Sequence, residues 1–177
     1  TGSTVLVVET TDPKSIKIVG RHTVDFKQYY PKSGWVEHDL EEIWSSVENA
    51  AKGAVEQAKK NAGYEHSLLA TIGITNQRET LCVFDRESGT PDYNAIVWQC
   101  KRSTDICKRL KDAGHEKLFK NRTGLVLDPY FSGTKITWLM ENEPEVAEKL
   151  KSGKSVLGTI DTFLIHRLTG GKSHVTE

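Results

Sequence analysis

Short apolar runs separated by turn residues open the chain. Val5–Val8 is followed by turn-forming Thr10–Lys14, then by Ile16–Val19 and Arg21–Phe26. Three such stretches predict an antiparallel meander. From Asp39 the apolar period lengthens to three and four. Leu40, Ile43, Trp44, Val47, Ala51, Ala54 and Ala58 make one stripe, which predicts a helix packed on the sheet through Trp44. Asp39 suits the N-cap, Glu42 lies at capping-box spacing, and Gly63 is the expected stop.

Ser67–Thr75 is apolar enough for a central parallel strand, buried over Ala70–Thr75. A polar elbow, Asn76–Thr80, comes next. Leu81–Phe84 and Ala95–Trp98 then read as strands of a hairpin, turned at Arg86–Pro91 by Gly89 and Pro91. Helices are predicted over Lys101–Leu110, His115–Lys120, Ser132–Glu141 (Ile136, Leu139 and Met140 inward) and Pro144–Leu150. Thr123–Tyr130 has no period and reads as a loop that delivers Tyr130 and Phe131. Val156–Ile160 is a strand, Asp161–Leu168 a helix closed by Gly170-Gly171, and Ser173–Thr176 starts another strand. This order suits an α/β, ribonuclease-H-like domain of the actin and hexokinase type, a mixed sheet flanked by helices. In such folds ligands gather at the carboxyl ends of strands. Periodicity alone leaves other α/β folds open.

Composition narrows the function classes. Lys+Arg and Asp+Glu both total 24 in 177 residues, so no basic footprint for nucleic acid or polybasic membrane patch is present. No apolar run has the length of a membrane span, and no secretory signal is visible. Cys82, Cys100 and Cys107 include no CxxC pair. They predict reduced thiols in a cytoplasmic compartment, and no metal site is assigned to them. The chain begins at Thr1 rather than Met and ends at Glu177 inside a predicted strand, so a piece of a larger protein is expected.

The candidate chemistry lies at the elbow. Asn76, Gln77, Arg78 and Glu79 are four successive polar side chains at a strand end, and Trp98 stands at another. A guanidinium donates in a fixed fork, a carboxylate accepts from hydroxyls, and an indole covers carbon, which is how a small polyol is held. On composition alone, an Arg–Glu pair in a turn and a core Trp explain the same residues. Thr1-Gly2-Ser3-Thr4 could bring backbone N–H groups against phosphate, or could be a plain loop.

Four blocks, GITNQRET, YNAIVWQ, TGLVLDPYFSGTK and GTIDTFLIHRLTGG, together with YPKSGWVEHD, occur in series. In this order they resemble the FGGY carbohydrate kinases, over the whole of Thr1–Glu177. The resemblance implies phosphoryl transfer from ATP, with Mg2+, to a terminal hydroxyl of glycerol, giving sn-glycerol 3-phosphate. It implies that Arg78 and Glu79 hydrogen-bond glycerol hydroxyls, that Tyr130 adds a polar contact, and that Trp98 covers the carbon chain. Thr1, Gly2 and Ser3 would be the remainder of a phosphate loop whose first Asp and Gly precede Thr1. Gly2 and Val5 stand where the family usually has a small hydroxyl residue and an Arg. No catalytic residue is assigned, because the base, an Asp, is expected beyond Glu177. The adenosine-binding domain is likewise expected outside this N-terminal, substrate-binding half. Asp161 is expected to cap a helix. Trp35, Trp44 and Trp138 are read as packing residues. A kinase for another polyol or a pentulose, and a non-catalytic ligand-binding protein, are the alternative readings. A homo-oligomer stays open as the assembly.

Overall fold

A computed structural model describes residues 1–12, 15–65 and 69–176. The chain forms two compact units, Thr1–Gln28 with Asp39–Ile74, and Tyr29–His38 with Thr75–Glu177.

The first unit is a hairpin and one long helix. β1 (Gly2–Asp12) and β2 (Ser15–Asp25) pair antiparallel, Gly2 opposite Asp25 and Val7 opposite Gly20. The expected three-stranded meander is therefore two long strands. The register shifts between Val7 and Val8, and this bulge absorbs an extra residue so that β2 continues through Gly20. Gly20 is not a turn residue. A Cβ there would lie 2.1 Å from the Ala54 carbonyl oxygen, so its lack of a side chain permits the ribbon's close approach to the helix. Gly20→Ala is expected to cost about 1–3 kcal/mol through overpacking. An unchanged thermal midpoint in that variant would show that the ribbon and helix do not depend on a bare backbone at Gly20. The predicted turn Thr10–Lys14 runs into residues outside the described ones.

The helix, α1 (Leu40–Ala62), starts and stops where local chemistry directs. The Asp39 carboxylate accepts from the N–H groups of Glu41 and Glu42, and Gly63 closes the helix at φ 64°. Glu42 accepts from the Lys27 N–H at 3.3 Å. Its buried residues are Leu40, Ile43, Ser46, Ala50, Ala54 and Ala58, of which Ala54 and Ala58 meet Val7 and Val19. Trp44, on the same helix, is half-buried and lies outside that cluster.

The largest correction concerns Ser67–Thr75. Ser67 itself lies outside the described residues. Leu69–Thr75 forms no strand, and Leu69 and Ile72 are exposed, at 49% and 69%. β1 and β2 pair only with each other. An apolar run becomes a strand only when a ladder accepts it, and no described strand does so here.

The second unit holds a four-stranded sheet in the order β3-β5-β4-β6, comprising β3 (Glu37–His38), β4 (Leu81–Asp85), β5 (Pro91–Ile96) and β6 (Ser155–Gly158). All its ladders are antiparallel. In the β4–β5 turn the Asp85 carboxylate accepts from the Glu87 and Ser88 N–H groups, and Gly89 takes φ 69°. Pro91 begins β5, where a strand tolerates a missing donor. Trp98 falls in the turn beyond β5 rather than at its end.

The described residues of this unit also form five helices: α2 (Thr104–Asp112), α3 (Glu116–Thr123), α4 (Ser132–Asn142), α5 (Pro144–Lys151) and α6 (Ile160–Leu168). In α4 the inward residues are Thr134, Lys135, Trp138 and Leu139; Ile136 and Met140 are half-buried. Trp35 and Trp138 pack edge to face at 5.0 Å, as packing residues do. The N-cap of α6 is Thr159, not Asp161. Thr159 donates its N–H to Thr162 Oγ1 and its hydroxyl to the Asp161 carboxylate. Ser173–Thr176 forms no strand; His174 Nε2 instead meets the Leu157 carbonyl, which lies on β6. No helix among the described residues is long and apolar enough to cross a membrane.

Candidate functional site

The elbow is pinned on both sides of Arg78. Gln77 Nε2 lies 3.0 Å from His38 Nδ1, on β3. Glu79 is the one described non-glycine residue with positive φ, at 65°. That region costs an L-residue about 1–2 kcal/mol, so something must hold it there. Its carboxylate accepts from both the backbone N–H and the hydroxyl of Ser132, each at 2.8 Å. Ser132 is the first residue of α4, where free N–H groups and the helix dipole favour an anion. The turn thus aims Glu79 at a helix start by local strain and a charge-assisted pair of hydrogen bonds.

Thr80 is fully buried, and its Oγ1 accepts from the Trp98 N–H at 3.3 Å. The Trp98 ring packs on Tyr130 at 5.5 Å, and Tyr130 packs on Phe131 at 5.1 Å. Phe131 immediately precedes Ser132. The contacts therefore close a circuit from Glu79 through Ser132, Phe131, Tyr130 and Trp98 back to Thr80. Arg78, next to Glu79 in the chain, is exposed, with no hydrogen bond or ion pair among the described residues. Asn76 Oδ1 is buried without a partner in that set.

Of the sequence-predicted residues, Trp98 and Tyr130 touch, and Glu79 reaches them through Ser132. Arg78 adjoins Glu79 in the chain but contacts none of the three. Trp98 and Tyr130 wall a cleft of about 790 Å³ that runs beside α2 past Lys101, Cys107 and Asp128. Neither Arg78 nor Glu79 lines it. Burial pushes the Cys107 thiol above its ordinary pKa, so it stays protonated and poorly nucleophilic at neutral pH.

Thr1, Gly2 and Ser3 belong to the first unit. Gly2 and Ser3 are ladder residues of β1, not a free loop, and Ser3 Oγ lies 2.7 Å from Ser46 Oγ. Their place opposite Asp25 and Val24 in the hairpin gives them extended ladder backbone.

Two sets of residues escaped the sequence reading. Ser132 and Lys135 hold the elbow and the Tyr130 segment. A lysine among the inward positions of α4 was the available signal. Glu37 and Arg102 form a buried ion pair at 2.6 Å, for which the sequence carries no marker beyond two ordinary charges.

Over residues 1–177 the chain matches the FGGY family of carbohydrate kinases, N-terminal domain. It is 51% identical over 161 residues to glycerol kinase of Halothermothrix orenii, covering 91% of this chain and 32% of that one. With glycerol kinase of Sinorhizobium fredii it shares 50% over 184 residues, covering 99% and 36%. The chain thus spans about a third of the length of the curated relatives it matches. Among solved structures, Plasmodium falciparum glycerol kinase with ADP superposes with a TM-score of 0.81 at 36% identity, over 87% of this chain and 30% of that one. Xylulose kinase of Rhodospirillum rubrum gives 0.78 at 20% identity, over 99% and 34%, a likeness of fold alone. These likenesses agree with the α/β, actin and hexokinase-type class expected from the order of elements.

Proposed function

The chain belongs to the FGGY family of carbohydrate kinases, and from that premise we propose that it is the substrate-binding half of an enzyme phosphorylating glycerol to sn-glycerol 3-phosphate. The observation that carries this reading is the closed circuit joining a strained Glu79 to the Trp98–Tyr130 ring pair, with the Arg78 donors left open beside it. The half-identity to glycerol kinases over nine-tenths of the chain supports the same choice.

In this reading Arg78 donates to glycerol hydroxyls and Glu79 accepts with the lone pairs that Ser132 leaves free. The Trp98 face packs on the carbon chain, and the Tyr130 hydroxyl orients one oxygen. Phosphoryl transfer is chiefly a matter of positioning and charge neutralisation, so a rigid polyol seat is this chain's contribution. ATP supplies the phosphoryl group, with Mg2+ spreading its charge. Among the described residues no cluster of three or more His, Cys, Asp or Glu is placed for a metal ion, and no residue of this chain is assigned to Mg2+. Thr1, Gly2 and Ser3 are proposed to contact phosphate through their backbone. The catalytic base and the adenosine-binding domain are proposed to lie beyond Glu177, and the compartment to be cytoplasmic.

The test compares glycerol, ribulose and xylulose as acceptors for the complete enzyme, and assays residues 1–177 alone. Glycerol should give the highest kcat/KM, and the 177-residue chain should give no turnover. A ketose preference, or activity of the chain by itself, would overturn the reading.

A further inference from the structure

Lys135 is completely buried, and none of the described ion pairs includes it. Its Nζ donates to three consecutive carbonyls: Pro129 at 2.8 Å, Tyr130 at 2.5 Å and Phe131 at 3.3 Å. Three ammonium hydrogens meet three acceptors. A buried charge without a counter-ion costs several kcal/mol, and a methionine would fill much of the same space without that cost. The charge therefore does not serve packing. What it does is fold three peptide groups inward around one point, in the segment that carries Tyr130.

We propose that Lys135 is a positioning residue whose ammonium gathers the 129–131 carbonyls and so holds the Tyr130 ring against Trp98. The proposal rests on the reading of Trp98 and Tyr130 as the polyol wall. Three anchors then converge on this wall. Lys135 fixes the carbonyls before α4, Ser132 fixes Glu79 at its start, and Thr80 fixes the Trp98 backbone.

Protonation supplies a readout that a merely structural lysine would not. Burial pushes the Lys135 pKa down to about 8, against the opposing pull of Glu79 on the elbow, Cys100 after β5, Asp128 in the loop and Cys107 on α2. Above that pH the clamp loses its charge and one donor. The same titration does not weaken the fold. Between about 8 and the ordinary lysine value of 10.5 the unfolded chain binds more protons at this residue, so its contribution to stability rises with pH.

In the complete enzyme, the KM for glycerol should rise as pH passes from 7 to 9.5, while the KM for ATP follows a separate course. Lys135→Met should raise the glycerol KM at pH 7 by about tenfold, leave that for ATP within about twofold, and abolish the alkaline rise. Lys135→Arg, which stays charged, should keep the KM low at pH 9.5. A wild-type glycerol KM flat across this range overturns the proposal, and needs no variant to fold. Trp98→Ala separates the two levels. If it raises the glycerol KM and Lys135→Met does not, the positioning role fails and the wall stands; if Trp98→Ala has no effect, the wall and the proposal fall together.

Discussion

Arg78→Ala in the complete enzyme is expected to lower kcat/KM for glycerol by roughly 30- to 1,000-fold, equivalent to about 2–4 kcal/mol. The loss comes from the bound state. Arg78 is exposed and has no partner among the described residues, so its removal strands nothing in the free protein and should leave thermal stability within about 0.5 kcal/mol. When glycerol binds, the guanidinium fork supplies charge-assisted hydrogen bonds, each worth about 1.5–3 kcal/mol in a desolvated seat. Arg78→Lys should recover little of this, because a point charge on a flexible stem cannot present two donors in one plane. The pattern is therefore specific: a large loss of kcat/KM, an unchanged midpoint and weak rescue by lysine. Unaltered kinetics in Arg78→Ala would remove the residue from the site, while a large fall in stability would mean that it is held by contacts this structure does not contain.

The elements that were legible before the structure are those set by neighbours in sequence. α1 was readable from its period, its Asp39 cap and its Gly63 stop, because each acts within one or two helical turns. The hairpin around Gly89 was readable for the same reason. Partners distant in sequence were not. Whether Leu69–Thr75 joins a sheet depends on a ladder partner that local composition does not specify, and the described residues offer none. Gly20 falls between two predicted apolar runs, and its role depends on Ala54, more than thirty residues away. The candidate site divides along the same line. Residue types singled out Arg78, Glu79 and Trp98, and the resemblance to the family added Tyr130. The strained φ of Glu79, its hold on Ser132 and the carbonyl clamp of Lys135 are contacts across the fold, visible only in three dimensions.

Glu37→Ala should be among the most damaging single changes to stability, at about 3–5 kcal/mol, because it leaves Arg102 buried without its counter-charge. The Arg102 side chain is fully buried, and Nη2 meets Glu37 Oε1 at 2.6 Å. Its guanidinium lies over the Trp35 ring at 4.0 Å and the Trp138 ring at 4.8 Å, with Nη1 donating to the Tyr93 hydroxyl at 3.2 Å. Asn94 donates to the other Glu37 oxygen. Truncating the acid leaves the buried cation with its aromatic neighbours, which supply only about 1–2 kcal/mol of cation–π attraction. Replacing both charges, as Glu37→Met with Arg102→Met, should restore much of the loss, since apolar side chains of similar volume avoid the desolvation penalty. Trp35 and Trp138 report on this cluster, so urea unfolding followed by tryptophan fluorescence measures it directly. If Glu37→Ala costs under about 1 kcal/mol, the pair behaves as a solvated surface bridge. If the double variant is as damaged as the single one, Arg102 contributes through its stacking and hydrogen bonds rather than through its charge.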